Sequence, residues 1–420
     1  MFENDPVVNK AEIIVIGNEV TSGLIVDTNS RLIGLRLSAE GVDVIRVVSV
    51  GDDPESIRDA VEQALMRAEI VISTGGLGPT HDDITKNVLG RIFDSCLVRN
   101  DRVAAMIDEF FRKRGRETPT YALSQADVPD KAEVLYNETG SAPGLLFSRG
   151  NRKLFALPGV PLEMEYLFEK YILPEIEKIP RSKIAHRRLL TTGVSESVLW
   201  SKIGSLEPIS DVATVASLPS HLGVTIRLSA SHKDRDVVLK RLGTAEAFIR
   251  DRIGNHIYGI DDDVLEEVVG KLLKKKNLKL VVAESCTGGL IGHRITNIPG
   301  SSVYFSQGIV TYSNEAKIQL LGVKSDLIEK FGAVSKEVVV AMAEGARHFS
   351  GADISLAVTG IAGPTGGTPD KPVGLTFISL STKRACECDM FVFPQDRIHN
   401  KERAAQAALN MLRNLLLAQK

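Results

Sequence analysis

The sequence predicts an α/β protein, in which a doubly wound parallel sheet is followed by a small α+β segment and a second α/β domain. Three observations predict this class. Short β-branched runs alternate with helical patterns over residues 11–93, a proline-containing break lies at 179–182, and a new strand–turn–helix pattern follows residue 277. The length of 420 residues also exceeds a typical single core of about 100–200 residues. We expect three domains, at residues 1–178, 179–260 and 261–420.

Composition excludes several classes of function. Hydrophobic residues make up 43% of the chain, charged residues 25%, and the net charge is -2, so no electrostatic footprint for nucleic acid is expected. No apolar run approaches the roughly 20 residues of a membrane span, and residues 1–10 lack a signal-peptide core. The four cysteines are too few and too scattered for a disulfide framework. We predict a cytoplasmic protein without a membrane or nucleic-acid partner.

The amino-terminal elements alternate between strand and helix. Strands are predicted at residues 11–17, 42–50 and 70–73, and helices at 27–39 and 54–68. Gly41 follows the first helix, and Asp53 precedes Pro54 as a capping residue for the second. This alternation is typical of a parallel doubly wound sheet, in which ligands bind beyond the carboxyl ends of the strands.

Two polar loops fall at these strand ends. One contains Gly17 and Glu19, and the other runs from Thr74 to Asp83. Glycines let a backbone approach a ligand closely, and carboxylates can hold a hard cation that bridges phosphates. The candidate metal ligands are Asp82, Asp83 and Glu19. The alternative interpretation is that Asp82 and Asp83 cap the helix that follows them.

The same segment resembles a known family. GNEVTSGLIVDTNS, STGGLGPTHDDITKNV and LPGVPLEM are similar to the amino-terminal domain of the CinA family, itself similar to molybdopterin-binding proteins of the MoaB and MogA type. The resemblance implies a hydrolase of ADP-ribose that uses Mg, Mn, Co or Ni, or a remnant pterin-binding pocket. The implied nucleotide-binding residues are Gly17, Glu19, Asn29, Thr74, Gly75, Gly76, Gly78, Thr80, Pro158 and Gly159.

The middle segment reads as a small α+β module. Strands are predicted at 186–192 and 223–230, with helices at 196–205 and 234–253. It resembles the KH-type linking domain of the CinA family but lacks a Gly-X-X-Gly clamp, so we expect scaffolding or dimerisation rather than RNA binding. The family resemblance implies a homodimer. His221 and His232 are interpreted as isolated polar residues and not as metal ligands.

The third domain begins with a helix at 264–273, a buried strand at 278–283, a small-residue turn at 285–289 and a helix at 290–295. Unpaired N–H groups at such a helix start can hold a phosphate or an oxyanion. Ser302, Tyr312 and Lys317 follow, and they supply a hydroxyl, a phenol and an amine. These groups are the parts of a serine amidohydrolase without histidine. The only cysteine near them, Cys286, is interpreted as a packing residue.

Further elements complete this domain. A helix is predicted at 335–349 and strands at 354–358, 374–380 and 387–393; a helix at 400–418 ends the domain. The last two strands have no crossover helix between them, so part of the sheet should be antiparallel. The glycines at 363–367 predict a flexible flap.

AESCTGG, GSSVYF, GIVTYSNEAK, AVTGIAGPTGG and KPVG resemble the carboxyl-terminal domain of the CinA family. That domain is similar to nicotinamide mononucleotide deamidase, so the resemblance implies hydrolysis of nicotinamide mononucleotide to nicotinate mononucleotide and ammonia, without a cofactor. Together the two resemblances imply a bifunctional hydrolase of pyridine nucleotides. The implied substrate-binding residues are Thr287, Gly288, Gly289, Gly360, Gly363, Arg397 and Arg403.

The predicted mechanism has Ser302 attack the carboxamide while Lys317, directly or through Tyr312, accepts its proton. Thr359 and the turn amides orient the amide or stabilise the oxyanion. Ser285 remains an alternative nucleophile. Two other functions stay open: a non-catalytic nucleotide- or molybdopterin-binding regulatory protein, and an accessory factor in competence or DNA damage.

Overall fold

The computed structural model describes residues 10–178 and 183–418, which divide into two compact units. The first unit contains the described residues up to 186 together with residues 230–241. The second contains residues 187–229 and 242–418. The predicted domain break at 179–182 lies outside the described residues.

The amino-terminal segment contains short strands and helices in alternation. Its strands are β1 (Lys10–Ile16), β2 (Asp43–Val50), β3 (Ile70–Thr74), β4 (Leu97–Arg99), β5 (Asp127–Pro129), β6 (Glu133–Leu135), β7 (Gly144–Arg149) and β8 (Arg152–Leu157). Its α-helices are α1 (Asn18–Thr21), α2 (Asn29–Ala39), α3 (Pro54–Arg67), α4 (Thr85–Ile92), α5 (Asp101–Arg112), α6 (Pro161–Leu167) and α7 (Leu173–Glu177).

Six of these strands form one sheet in the order β2, β1, β3, β8, β7, β6. The first four are parallel, and β7 and β6 are antiparallel to their neighbours. Alternate residues of β1 enter opposite layers: Ile13 packs with α2 and α6, and Ile14 packs with α3 and α4. The prediction of a doubly wound sheet is confirmed. Because β2 and β3 lie on opposite sides of β1, the sheet has a switch point between β1 and β3.

The linking module is a four-stranded sheet with two helices. It contains β9 (Lys183–Thr191), β10 (Thr214–Ser220), β11 (Gly223–His232), β12 (Ile257–Ile260), α8 (Glu196–Ile203) and α9 (Arg235–Ile253). The order is β10, β11, β9, β12, so β10 and β12 are edge strands that the sequence did not predict. Pro219 lies within β10 and argues against a strand from sequence, but an edge strand tolerates proline.

The carboxyl-terminal domain has five strands: β13 (Leu280–Glu284), β14 (Phe305–Val310), β15 (Ile354–Gly360), β16 (Leu375–Thr382) and β17 (Cys386–Val392). Its α-helices are α10 (Leu265–Lys276), α11 (Leu290–Thr296), α12 (Asn314–Leu321), α13 (Ser325–Phe331), α14 (Lys336–Ser350) and α15 (Arg397–Ala418).

These strands form a mixed sheet in the order β14, β13, β15, β16, β17. β13 is parallel to both of its neighbours, β14 and β15. β16 is antiparallel to both β15 and β17, as the missing crossover helix predicts. Val282 packs with α10, α11 and α15, and Val281 packs with α12, α13 and α14. Helices therefore cover both faces of the sheet, and its polar strand ends remain available for a site.

Candidate functional site

The carboxyl ends of β13 and β14 lie side by side at one end of the strands of the mixed sheet. The strands are parallel, with Glu284 opposite Val310. Ser285 follows β13 directly, and its backbone N–H donates to Val358 O of β15 at 3.0 Å. Since β14 and β15 lie on opposite sides of β13, Ser285 stands at the switch point of this sheet, where ligands of open α/β sheets bind.

Lys317 brings a buried amine to these strand ends. The residue is 1% exposed, and its Nζ donates to Ser285 Oγ at 3.1 Å and to Thr311 O at 2.8 Å. Burial lowers the pKa of Lys317 because the ammonium form loses its hydration. A lysine with a lowered pKa that contacts a serine hydroxyl can act as the general base for that hydroxyl.

Ser302 requires a correction, because the structure does not bring it together with Lys317 within one chain. Ser302 is exposed and lies in the turn before β14, whereas Lys317 lies in α12 after β14. β14 has six residues, which corresponds to about 20 Å of strand. The turn of Ser302 thus lies at the amino-terminal end of β14, opposite the end that leads to Lys317, and there Lys279 Nζ donates to Val303 O at 2.5 Å. The lysine contacts Ser285, the alternative nucleophile, instead.

Part of the turn after β13 does not offer the free donors that the sequence predicts. The Glu284 carboxylate accepts three backbone N–H groups at the start of α11, at 2.8–3.1 Å, from Gly289, Ile291 and Gly292. The Gly288 N–H donates to Ser285 O at 3.1 Å. Because these donors are engaged, the predicted oxyanion contact cannot come from Gly288 or Gly289. Their positive φ angles, 63° and 95°, show that they shape the turn that presents Ser285.

Arg397 and Tyr312 form a polar pair beside Lys317. The guanidinium of Arg397 donates to Tyr312 Oη at 2.7 Å and to Gly363 O at 2.6 Å. Lys317 Nζ reaches the backbone O of Tyr312 at 3.5 Å, while Tyr312 as a residue is 61% exposed. The Tyr312 hydroxyl accepts the Arg397 hydrogen bond and keeps its own proton, so the proton path through Tyr312 stays a prediction. Through the hydrogen bond to Gly363 O, Arg397 contacts the predicted flap.

Thr359 and Gly360 hold the neighbouring strand end in place. Thr359 is fully buried, and its Oγ1 donates to Ala333 O at 2.9 Å, so its single donated hydrogen bond is used within the protein. A Cβ on Gly360 would lie 3.0 Å from Cys286 Sγ and 2.7 Å from Leu375 O. Both residues thus support the packing behind Ser285, and the structure does not point the Thr359 proton at a substrate.

Arg403, Cys286 and Thr287 are the remaining residues of this domain that the sequence singled out. The Arg403 guanidinium lies over the Phe393 ring at 4.8 Å, so it packs on an aromatic face rather than beside Arg397. Cys286 is buried, and burial raises the pKa of its thiol to about 12, which agrees with a packing role. The Thr287 hydroxyl is buried next to this turn and has no hydrogen-bond partner among residues 10–178 and 183–418.

A cavity of about 340 Å³ lies at the amino-terminal switch point. The predicted residues that line it are Gly17, Glu19, Gly75, Gly76, Gly78, Thr80, Asp82, Asp83, Pro158 and Gly159. A Cβ on Gly75 would come within 2.0 Å of Ile16 O, and φ at Gly75 is +112°, so only glycine fits this floor. The structure therefore gathers most of the predicted nucleotide-binding residues around one cavity.

Asn29 and Thr74 lie behind this cavity and fasten its walls. Asn29 Nδ2 donates to Thr74 Oγ1 at 2.9 Å and to Gly159 O at 2.8 Å, and Thr74 Oγ1 donates to Pro158 O at 2.9 Å. Asn29 Oδ1 is buried without a hydrogen-bond partner in the described part of the chain. These contacts join the starts of the loops after β3 and β8, so both residues position the cavity.

The three predicted metal ligands line this cavity, but their carboxylate oxygens do not all lie within 4.8 Å of one another. The Asp83 carboxylate accepts the backbone N–H and the hydroxyl of Thr80, at 2.8 and 2.5 Å, so it braces the glycine loop. α4 has no side-chain cap, which removes the capping interpretation for Asp82 and Asp83. Mg²⁺ is commonly held by one or two carboxylates plus substrate phosphates, so Asp82 and Glu19 at the mouth fit such an ion.

Sequence analysis missed two acidic residues of this cavity, Asp52 and Glu163. Asp52 follows β2, and its carboxylate accepts the Asn18 N–H at 2.9 Å. Glu163 accepts a hydrogen bond from Asn137 at 2.7 Å, and burial raises the pKa of its carboxyl group. The rule that ligands bind at strand carboxyl ends could have identified Asp52, but Glu163 reaches the cavity from a helix.

The interpretation of His221 as isolated is wrong. His221 Nε2 lies 2.7 Å from Glu402 Oε2, and the His221 ring is 4.7 Å from the His399 ring. His232 behaves as predicted, with its Nδ1 accepting the Asp234 N–H at 3.0 Å.

Of the helices in the described ranges, none is long and apolar enough to cross a membrane.

Comparisons with known proteins cover most of the chain. Residues 262–416 match the family model "CinA C-terminal domain", residues 12–178 match "Probable molybdopterin binding domain", and residues 186–259 match "Damage-inducible protein CinA KH domain". The predicted MoaB-like, KH-like and CinA carboxyl-terminal folds are thereby confirmed.

Relatives match along nearly the whole length. A "CinA-like protein" of Chloroherpeton thalassium is 40% identical over 417 residues, covering 97% of this chain and 99% of that protein. A "CinA-like protein" of Salinibacter ruber is 41% identical over 410 residues, with the same coverage. The crystal structure of the competence/damage inducible protein CihA from Agrobacterium tumefaciens is 38% identical over 36% of this chain and 93% of its own, with a TM-score of 0.35. This chain belongs to the CinA family.

Proposed function

We propose that the carboxyl-terminal domain hydrolyses the carboxamide of nicotinamide mononucleotide to nicotinate mononucleotide and ammonia. The observation that carries the proposal is the buried Lys317 amine, which donates to the Ser285 hydroxyl at 3.1 Å. A nucleophile beside a lysine with a lowered pKa suits amide hydrolysis. The resemblance of AESCTGG and GIVTYSNEAK to the CinA carboxyl-terminal domain supplies the class of substrate.

The reaction proceeds in two steps. Neutral Lys317 takes the Ser285 proton while Ser285 Oγ bonds to the carboxamide carbon, and the ammonium of Lys317 then returns a proton to the nitrogen as the C–N bond breaks. Ammonia leaves, and an ester of Ser285 remains. Water attacks this ester, gives its proton to Lys317, and the serine regains a proton as nicotinate mononucleotide departs.

Arg397 is the candidate anchor for the phosphate of the substrate. Its guanidinium already donates to Tyr312 Oη and Gly363 O, which hold it at the rim of the Lys317 site. A planar guanidinium can bind a phosphate through two parallel hydrogen bonds. Tyr312 then connects substrate binding to chemistry, because its backbone O contacts Lys317 Nζ at 3.5 Å. No metal ion takes part in this mechanism.

The test is identification of both products from nicotinamide mononucleotide with the purified full chain. We expect ammonia and nicotinate mononucleotide in equal amounts, at a rate that a chelator leaves unchanged. A Lys275→Met variant, altered at an exposed lysine of α10, should keep full activity as the matched control for Lys317→Met. Folded protein that releases no ammonia, or product formation by Lys317→Met at the wild-type rate, would contradict the proposal.

A second activity is proposed for the amino-terminal cavity: metal-dependent cleavage of the diphosphate of ADP-ribose. It is favoured by the cavity of about 340 Å³, which combines a glycine floor with carboxylates. Asp82 and Glu19 would hold a divalent ion, Mg, Mn, Co or Ni, and the ion would neutralise charge on the diphosphate oxygens. Glu163, with its raised pKa, also lines this cavity and can exchange a proton there.

This second proposal is tested by following conversion of ADP-ribose to AMP and ribose 5-phosphate with each of the four metals. We expect turnover that chelator abolishes and that falls at least about 100-fold in Asp82→Asn, with the exposed Asp101→Asn as control. Metal-independent binding of nucleotide or molybdopterin without turnover would instead favour the regulatory function. Deamidation should be unaffected by Asp82→Asn, so the two activities can fail separately.

The proposed assembly is a homodimer in the cytoplasm, as the family resemblance implies. Sedimentation of the purified chain tests it, with a dimer mass expected at micromolar concentration and a monomer mass contradicting it.

A further inference from the structure

A cluster of two histidines and one glutamate lies outside both proposed sites. His221 occupies the two-residue turn between β10 and β11, where Ser220 pairs with Gly223. His399 and Glu402 lie one turn apart on α15. One ligand atom from each of these three residues lies within 4.8 Å of the other two. All three belong to the second compact unit.

We propose that His221, His399 and Glu402 bind a zinc-type divalent cation. Two imidazoles and one carboxylate form the ligand set found at three-ligand zinc sites, in which water takes the fourth position. Tetrahedral coordination with bonds of about 2.0–2.1 Å puts ligand atoms about 3.3 Å apart. The three side chains are partly exposed and can make the small rotations that this requires.

The second observation that points to a metal is the partner of His399. His399 Nδ1 is hydrogen-bonded to the Asp396 carboxylate, which leaves Nε2 as the free ring nitrogen. Metal-binding histidines commonly donate their other N–H to a carboxylate, which fixes the ring and makes the ligand nitrogen more basic. Asp396 is itself oriented, since it also accepts the backbone N–H groups of Ile398 and His399 at 2.9 and 3.1 Å.

His221 is oriented toward the same point. Its Nε2 is shielded from solvent, lies 2.7 Å from Glu402 Oε2, and makes no hydrogen bond of good geometry within the described residues. Its ring meets that of His399 edge-on, at 81°. Two ring nitrogens and one carboxylate oxygen therefore lie close enough together for one ion. Nitrogen ligands favour zinc, nickel, cobalt or copper over magnesium.

An ion at this position would join the turn between β10 and β11 to the first turns of α15. Both segments belong to the same unit, and Gln406 Nε2 donates to Thr192 Oγ1 at 3.2 Å further along α15. Because the folded chain would bind the ion more tightly than the unfolded chain, zinc should raise the apparent melting temperature. The ion would also fix the start of the helix that carries Arg397.

The experiment is titration of the chelator-treated full chain with Zn²⁺ in excess Mg²⁺, so that oxygen-ligand sites are filled. We expect about one equivalent of tightly bound zinc and, with Co²⁺, visible absorption bands of a tetrahedral complex. Glu402→Gln and His221→Ala should abolish the cobalt bands, whereas His348→Ala, an exposed histidine of α14, should keep them.

Asp396→Asn provides a variant that keeps all three ligands. It should weaken zinc binding by about 10- to 100-fold, as expected for loss of a carboxylate behind a metal-binding histidine. Circular dichroism and the melting temperature without zinc identify any variant that is unfolded. The proposal is overturned if the wild-type chain binds no zinc under these conditions, or if folded Glu402→Gln binds it as the wild-type chain does. In that case His221 and Glu402 form an ion pair only.

Discussion

The Lys317 amine and the Ser285 hydroxyl lie 3.1 Å apart at the carboxyl ends of two parallel strands. The contact is made across 32 residues, and both residues are buried. Burial lowers the pKa of Lys317 because the ammonium form loses its hydration, and this shift is in the direction that a base requires. The catalytic proposal for this domain depends on this one contact.

Replacing Lys317 with methionine should abolish deamidation without unfolding the chain. Loss of a general base reduces kcat by about 100- to 10,000-fold. The apparent melting temperature at neutral pH should be equal to or above that of the wild type, because methionine avoids the cost of burying an ammonium. Calorimetry of Lys317→Met beside Lys275→Met measures this. A melting temperature well below that of the control would show that the amine serves a structural role.

The pKa of Lys317 also gives a pH dependence with a definite sign. Its folded pKa is lowered, so the unfolded chain binds more protons between that pKa and the ordinary lysine value of about 10.4, and stability from this residue rises with pH across that window. The melting-temperature gain of Lys317→Met should therefore be largest at neutral pH and shrink as pH rises. Over the same window kcat/KM of the wild type should rise and then level; a kcat/KM that falls with pH there would contradict a lysine base.

Arg397 should affect substrate affinity more than turnover. Removing a charged hydrogen-bond partner of the phosphate, in Arg397→Ala, should raise KM by about 10- to 100-fold. Arg397→Lys should recover only part of this loss, because an ammonium cannot form two parallel hydrogen bonds. Arg384→Ala, at an exposed arginine, is the control. An unchanged KM in Arg397→Ala would remove the phosphate contact from the proposal.

Glu284 should determine the stability of the turn that presents Ser285. Its buried carboxylate accepts three backbone N–H groups of α11, and Glu284→Gln turns an NH₂ group toward some of these donors. We expect a loss of about 1–3 kcal/mol, which lowers the melting temperature by several degrees. Glu329→Gln, at an exposed position, should have no effect. A melting temperature unchanged by Glu284→Gln would show that these hydrogen bonds contribute little.

Most of the fold could be predicted from sequence, because apolar periodicity and capping residues are local signals. α3 begins at Pro54 with the Asp53 side chain accepting the Ser56 N–H, as the sequence predicts. The edge strand β10 was missed because Pro219 interrupts its pattern. α5 ends at Arg112, and the chain turns soon afterwards at Gly115, which adopts a φ of +65°.

The sites were predicted less completely, because the contacts between side chains depend on how strands pair and on where each side chain points. Sequence order places Ser302 nearer to Lys317 than Ser285, yet the intervening strand β14 carries the chain across the sheet. The engagement of the turn amides by Glu284 depends on a buried carboxylate whose direction is not visible in a strand pattern. His221 and His399 are separated by most of the carboxyl-terminal domain, so no local spacing could reveal their contact.

The most direct measurement compares ammonia release from nicotinamide mononucleotide by Ser285→Ala and Ser302→Ala, with folding of each verified by calorimetry. The structure predicts that Ser285→Ala loses at least about 1,000-fold in kcat, as expected for removal of a nucleophile. Ser302 is exposed and lies at the opposite end of β14, so Ser302→Ala should keep activity near that of the wild type. The reverse pattern would contradict the Ser285–Lys317 mechanism and assign the nucleophile to Ser302.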